Sequence, residues 1–416
     1  MNGGLLHIPL EFAFFYPLAM SLIWMSGGLI YFLRWERREP SRLKPPALPS
    51  YPLVSLIVPC HNEGEQVRET IAYLAEQAWP DFEIIAVNDG STDDTGEQLD
   101  ELMKEYAQLR VLHLSSNQGK AMGLRAAALA AKGDYLVCVD GDALLDRYAT
   151  HWMMFHLLSS ARVGAVTGNP RIRNRSTLLG KLQVGEFSSI IGLIKRAQRV
   201  YGRIFTVSGV IAAFRKVALH DIGYWNTDMV TEDIDVSWRL QMRHWEIRYE
   251  PNALCWILMP ETLRGLWKQR LRWAQGGSEV LLRYGSKLLF WRQRRMWLVA
   301  AEYLISLIWS YDIVAIVLLW LLGHVVDLPP SIRVPTLLPQ WNGVVLGIVC
   351  MLQFLISLLI DRRYEKRIGR NYFWMIWYPI AYWMLTTATS VVAFPKAVLK
   401  RKGTRAVWTS PDRGIR

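Results

Sequence analysis

Cysteine is scarce. The chain has four, Cys60, Cys138, Cys255 and Cys350, far apart and never in a C-x-x-C pair, so neither a disulfide framework nor a thiolate zinc site is indicated. The eight histidines form no H-E-x-x-H and read as structural. No G-x-G-x-x-G occurs, which removes the dinucleotide-binding fingerprint. Asn117-Gln-Gly-Lys120 is not a Walker loop either, because Leu114 stands where a glycine is needed and Ala121 where Ser or Thr is needed. Internal repeats and low-complexity tracts are also missing.

Charge is absent from Phe12 to Leu33, Trp341 to Ile360 and Tyr372 to Phe394, each long enough for a hydrocarbon core that needs about 20 apolar helical residues. Trp297 to Val326 is a fourth candidate. It carries Glu302 and Asp312, which should face protein or water because charge in lipid is costly. The content is 51% hydrophobic with 19 Trp, which fits an integral membrane protein. The first segment is not read as a cleaved signal peptide, since no Lys or Arg precedes it. Arg34, Arg37, Arg38, Arg42 and Lys44 follow it, placing the N-terminus outside and residues from about 40 to 295 in the cytoplasm. The basic loop Asp361 to Arg370 also reads as cytoplasmic. Four simple spans would leave the tail outside, whereas Lys396, Lys400, Arg401, Lys402 and Arg405 argue for inside; a re-entrant 371–395, interrupted by Pro379, would reconcile them. Much of the net charge of +12 lies beside these segments, so membrane lipid rather than nucleic acid is the expected partner.

Between the spans the pattern changes. Apolar runs at Leu53 to Val58, Glu83 to Val87, Val111 to Leu114, Tyr135 to Val139 and Val163 to Val166 alternate with helical stretches near 65–77, 94–107, 119–131 and 147–159. This predicts a parallel, doubly wound α/β domain inserted between transmembrane helices. The chain divides into an N-terminal span (1–35), a Pro-rich linker (36–52), the α/β domain (53–260), amphipathic interface helices (261–296), a transmembrane or re-entrant region (297–395) and a basic tail (396–416).

Ligands of such sheets bind at the carboxyl ends of strands. There the sequence places His61-Asn-Glu63, Asn88-Asp89-Gly-Ser and Asp140-Gly-Asp142. Two carboxylates separated by one Gly point the same way from an extended strand and suit Mg²⁺ or Mn²⁺ on a diphosphate; a solvated Asp-Gly turn is the alternative. Asp89 is placed to accept hydrogen bonds from a base or ribose, with Ser91 or Thr92 capping the next helix. Lys120 either pairs with a donor phosphate or is a surface lysine. In Thr231-Glu232-Asp233-Ile-Asp235, acids ordinary for a first helical turn compete with the reading that Asp233 is a general base. Gln269, Arg272 and Trp273 share one helical face, suited to a sugar ring and developing diphosphate charge. Leu263, Leu266, Trp267, Lys268 and Arg270 around them give the alternative of a basic helix lying in the membrane interface.

In this order, Val58-Pro59-Cys-His-Asn-Glu63, Asn88-Asp89-Gly-Ser-Thr, Asp140-Gly-Asp142, Thr231-Glu232-Asp233 and Gln269-x-x-Arg272-Trp273 resemble the processive family 2 glycosyltransferases, the group of cellulose, hyaluronan and chitin synthases. Val166-Thr-Gly-Asn-Pro-Arg-Ile-Arg, Val207-Ser-Gly-Val-Ile-Ala-Ala-Phe, Met259-Pro-Glu-Thr-Leu and Trp408-Thr-Ser-Pro-Asp-Arg-Gly resemble, more narrowly, bacterial synthases of β-1,6-linked poly-N-acetylglucosamine, a biofilm polysaccharide. The resemblance implies a GT-A-like fold and UDP-N-acetylglucosamine as an inverting donor. It implies a growing polysaccharide as acceptor, a bacterial inner-membrane location, a small two-span membrane partner subunit and cyclic di-GMP as activator. It also implies roles: Asp233 as catalytic base; Pro59, Glu63, Asp89, Lys120 and Asp140 at the donor; Asp142 and Asp140 at the metal; Gln269, Arg272, Trp273 and Glu232 at the acceptor and diphosphate. A non-processive transferase placing one sugar on a lipid phosphate would share the first three motifs.

Overall fold

The computed structural model describes residues 7–337, 340–401, 403–406 and 408. Runs such as Val54-Ser-Leu-Ile-Val58 are apolar at nearly every position, as strands covered on both faces must be. The strands are β1 (Val54–Cys60), β2 (Phe82–Asp89), β3 (Leu109–Leu114), β4 (Tyr135–Val139), β5 (Leu144–Leu145), β6 (Val163–Ile172), β7 (Ile211–Arg215) and β8 (Glu246–Ile257). They form one sheet in the order β3-β2-β1-β4-β7-β6-β8-β5.

The parallel sheet expected from the sequence is realised only in part. β3, β2, β1 and β4 run parallel, but β7 joins β4 antiparallel, β6 pairs antiparallel with β7, and β5 antiparallel with β8. The reason lies between β6 and β7. That connection leaves the sheet as α6 (Leu178–Glu186) and α7 (Ile194–Tyr201), and α7 packs along the membrane helix α1 (His7–Arg34) instead of crossing back over the sheet. Without a crossover helix no right-handed parallel connection forms.

Helices α2 (Val67–Ala75), α3 (Thr95–Glu105) and α5 (Ala149–Ser159) cover one face, burying Ile71, Leu74, Leu99, Leu102, Trp152 and Met153. The other face carries α4 (Lys120–Ala130), α8 (Lys216–Asp221) and α9 (Glu232–Met242), burying Leu124, Ala127, Leu219, Val236 and Leu240. The N-cap of α3 is Asp94 rather than Ser91 or Thr92, and the preceding Asp93 accepts from Thr95 N at 3.1 Å. Strand order reverses between β1 and β4, so the crevice beyond their carboxyl ends is where this topology places a ligand.

Among the described residues, three stretches are helical and apolar enough to cross a membrane: His7–Arg38, Trp291–Leu322 and Trp341–Asp361. They contain α1 and the later α11 (Trp297–Leu322) and α12 (Gln340–Asp361), which follow α10 (Leu263–Leu288). The fourth expected span is not one continuous helix. Ile368–Trp377 is a 3₁₀ stretch, and Pro379 begins α13 (Tyr378–Leu399) instead of interrupting it, as proline's fixed φ favours. α13 packs lengthwise against α10, and Lys400 beyond it donates to Asp228 O at 2.7 Å and Glu279 at 3.0 Å. The chain just after α13 therefore lies against the α/β domain and α10.

Charge also fastens the membrane helices to the sheet. Arg196 of α7 meets Glu36 with 2.7 and 2.9 Å bonds and Asp361 at 3.0 Å, while Arg171 of β6 reaches Asp361 at 2.8 Å. All four side chains are buried. Removing one partner from such a network strands a buried charge at a cost of about 3–5 kcal/mol, so the ends of α1 and α12 are held firmly on the domain.

Candidate active site

The turn after β4 delivers Asp140 and Asp142 into the crevice. Both line a cavity of about 400 Å³ together with Lys120, Glu232, Asp233 and Arg272. Lys120 opens α4, and its ammonium lies 2.5 Å from Asp140 Oδ1, 3.1 Å from Glu232 Oε1 and 3.0 Å from the Gly209 carbonyl. It is thus a half-buried ionic link between the β4 end and the start of α9, not a surface lysine.

Burial, with Asp142 and Glu232 nearby, raises the Asp140 carboxyl to about 6 against the pull of Lys120. A cation would relieve the crowding of Asp140 by the neighbouring acidic groups. Among the described residues no group of three or more His, Cys, Asp or Glu is built to hold a metal. A divalent ion held by Asp140 and Asp142 would take its remaining ligands from a diphosphate and water.

The three acids of α9 separate by surroundings. Asp235 is buried against Arg239 at 2.9 Å and Tyr284 at 2.7 Å and serves the fold. Glu232 is spent on Lys120; although burial opposes ionisation, that ammonium and Arg272 hold its carboxyl below the ordinary value. Asp233 remains facing the cavity, and burial plus the neighbouring Glu232 charge raise it to about 6 in spite of Lys120 and Arg272. Its carboxylate is approached by the main chain of Gly209, where an added Cβ would lie 3.2 Å from Asp233 Oδ2. α10 begins where Thr262 caps it, accepting from Gly265 N at 3.1 Å. Its first turns bring Gln269, Arg272 and Trp273 to the same cavity.

Other expected donor residues sit further back. Asp89 is fully buried, and its two oxygens accept from Gln118 N at 2.7 Å and Gly119 N at 2.8 Å. It holds the loop before α4 in place. Pro59, within β1, is buried against Gly123 of α4. Glu63 is buried beside Gly141, its main-chain N–H donating to Thr95 Oγ1 at 2.7 Å.

Several residues at the cavity carried no readable signal. Lys195, between Ile194 and Arg196, donates to Thr167 Oγ1 at 3.1 Å and lines the cavity; burial depresses it to about 7 against the attraction of Asp233. Tyr16 and Trp24 of α1 and Glu302 and Tyr303 of α11 extend the lining into the membrane helices. Glu302 faces protein, accepting from Trp24 Nε1 at 3.3 Å and Gln198 Nε2 at 3.1 Å.

The tail is the largest surprise. Ala406 N donates to Thr227 O at 2.9 Å, Asn117 Nδ2 to Trp408 O at 2.8 Å, and the Trp408 and His61 rings lie 6.0 Å apart. It forms a wall beside the loop that Asp89 holds. Gly119, at φ +89°, sits so close that a Cβ there would lie 2.3 Å from the Ala406 carbonyl. The rest of the Trp408 motif, residues 409–414, lies outside the described residues. Truncation before Gly403 and Gly119→Ala are both expected to weaken UDP binding by roughly tenfold, about one well-made contact. Unchanged affinity in a titration of the truncated protein would refute the wall.

A mixed sheet with this strand order, and an acidic pair at its reversal that shares a cavity with Asp233, Arg272 and Trp273, is the arrangement of a GT-A-like glycosyltransferase. A model of the glycosyltransferase-like family 2 matches residues 51–276. The chain is 40% identical over 406 residues to a poly-β-1,6-N-acetyl-D-glucosamine synthase of Staphylococcus epidermidis, covering 97% of this chain and 98% of that one. The Staphylococcus aureus protein of that name is 40% identical over 409 residues, with the same coverage. The chain belongs to glycosyltransferase family 2 and, within it, groups with the poly-β-1,6-N-acetyl-D-glucosamine synthases. In architecture it is similar to the mannosyltransferase PcManGT of Pyrobaculum calidifontis, solved with GDP-mannose and Mn²⁺, at a TM-score of 0.53 and 19% identity over 94% of this chain and all of that one.

Proposed function

We propose that this protein polymerises N-acetylglucosamine from UDP-N-acetylglucosamine into a β-1,6-linked chain and passes the product toward the membrane helices. The observation that carries this reading is the single cavity in which Asp140, Asp142, Asp233, Arg272 and Trp273 meet, lined on its far side by α1 and α11. Asp233 takes the proton of the acceptor 6-hydroxyl as that oxygen attacks the anomeric carbon. The bond to UDP breaks as the new glycosidic bond forms, with inversion. Arg272 meets the charge that develops on the departing diphosphate, and Trp273 stacks on the acceptor ring. Asp142 and Asp140 would hold Mg²⁺ or Mn²⁺, which supplies Lewis-acid neutralisation of the diphosphate when bound. Lys120 keeps Asp140 and Glu232 in register across the site. The inner-membrane location, the two-span partner subunit and activation by cyclic di-GMP belong to this proposal on the strength of the sequence resemblance.

The deciding experiment incubates purified protein in lipid nanodiscs with labelled donor and digests the product with linkage-specific hexosaminidases. Long polymer sensitive only to the β-1,6-specific enzyme is expected. A single sugar on lipid would replace the polymerase reading, and resistance to that enzyme would replace the linkage.

A further inference from the structure

Arg270 stands apart from the other basic residues of α10. Its position in a run of basic and apolar residues reads as a cation facing lipid headgroups, yet it is only 5% exposed. Nη2 donates to Glu186 Oε2, at the end of α6, at 2.6 Å. The guanidinium carbon lies 4.2 Å from the centroid of the Trp273 ring and 5.9 Å from that of Tyr382 on α13. Tyr382 in turn stacks on Tyr378, with centroids 4.9 Å apart and planes 16° from parallel. The Tyr382 side chain is a second polar neighbour of the Arg270 guanidinium. Lying over the Trp273 ring, this guanidinium serves as a flat charged plate as well as a donor.

Burying an ion pair is expensive, and a well-packed apolar pair in its place is often as stable, so stability alone does not explain Glu186 and Arg270. Their geometry gives another reason. Trp273 lines the active-site cavity while Arg270 lies over its ring, so the guanidinium forms part of the seat of the indole.

We propose that Glu186, Arg270 and Tyr382 are positioning residues that fix the Trp273 indole against the acceptor sugar, so that α6 and α13 set the acceptor register along with α10. This rests on the reading of Trp273 as the acceptor platform. Lysine at 270 keeps the charge but loses the plate. Met at 270 combined with Gln at 186 removes both charges and leaves no stranded ion.

The test compares Arg270→Lys, the Glu186→Gln/Arg270→Met pair and Trp273→Ala in nanodiscs, reading UDP affinity, UDP release without transfer, and polymer length. Both Arg270 variants are expected to keep UDP affinity within about twofold, while transfer per UDP released falls about tenfold and chains shorten. If UDP affinity and thermal stability fall together with transfer, Arg270 is merely structural and the proposal is overturned. If Trp273→Ala shortens chains but the Arg270 variants do not, the relay fails while the acceptor platform stands. If Trp273→Ala leaves chain length unchanged, the platform itself fails and the relay with it.

Discussion

Asp233→Asn is expected to reduce polymer synthesis on the order of 10³-fold while leaving UDP binding close to that of the parent. The amide keeps the volume at the start of α9 but cannot take a proton from the acceptor. The donor side, built on Asp140, Asp142 and the loop before α4, does not depend on that proton. Because burial and Glu232 raise Asp233 to about 6, the ionised base predominates at neutral pH and is lost below that value. The parent's rate should therefore fall about tenfold per unit on the acid side of pH 6. The sign for stability follows from the same shift. A carboxyl raised above its unfolded value of 3.8 favours the folded state fully only below that value, and this contribution is lost as pH rises through about 6. At neutral pH the ionised Asp233 is thus a burden on the fold, and Asn should leave the melting temperature unchanged or higher. Polymer formed by Asp233→Asn at the parent's rate would remove Asp233 as the base. A fall in both UDP affinity and melting temperature would show that its role is structural.

How much of this was legible in the sequence depends on whether a residue's task is set locally. Asp140 and Asp142 follow an apolar run that had to be a buried strand, so their place at a strand end could be read directly. Asp233 and Asp235 could not be told apart in that way. Both are acids in one helical turn, and only the packing of α10 commits Asp235 to Tyr284. Asp89 has a task the sequence does not show: the chain returns 29 residues later and both of its oxygens accept from Gln118 and Gly119. The antiparallel entry of β7 was hidden because it depends on α7 preferring α1 to the sheet, a contact between segments far apart in sequence. Lys195 and the tail share that cause. A lysine between isoleucine and arginine, or a glycine-threonine-arginine tail, acquires meaning only when distant chain folds against it.

Asp142→Ala is the second large effect, and it separates the metal from the base. If the acidic pair holds the divalent ion, UDP binds the parent far more tightly with Mg²⁺ or Mn²⁺ than with a chelator. In the variant that difference should shrink by about 100-fold, the upper end of what loss of a supporting group costs a metal site. Calorimetry with UDP, with and without Mg²⁺, reads this without any turnover. The remaining carboxylate reports a second consequence. Asp142 is one of the charges that push Asp140 up to about 6, so removing it should let Asp140 ionise at lower pH and tie Lys120 more tightly. Metal-free UDP affinity should then be unchanged, because Lys120 already faces the site. A variant whose UDP affinity responds to Mg²⁺ as the parent's does would place the ion elsewhere, leaving Asp140-Gly-Asp142 to act only through its charge on Lys120. A variant that loses metal-free binding as well would show Asp142 to be a prop of the strand end.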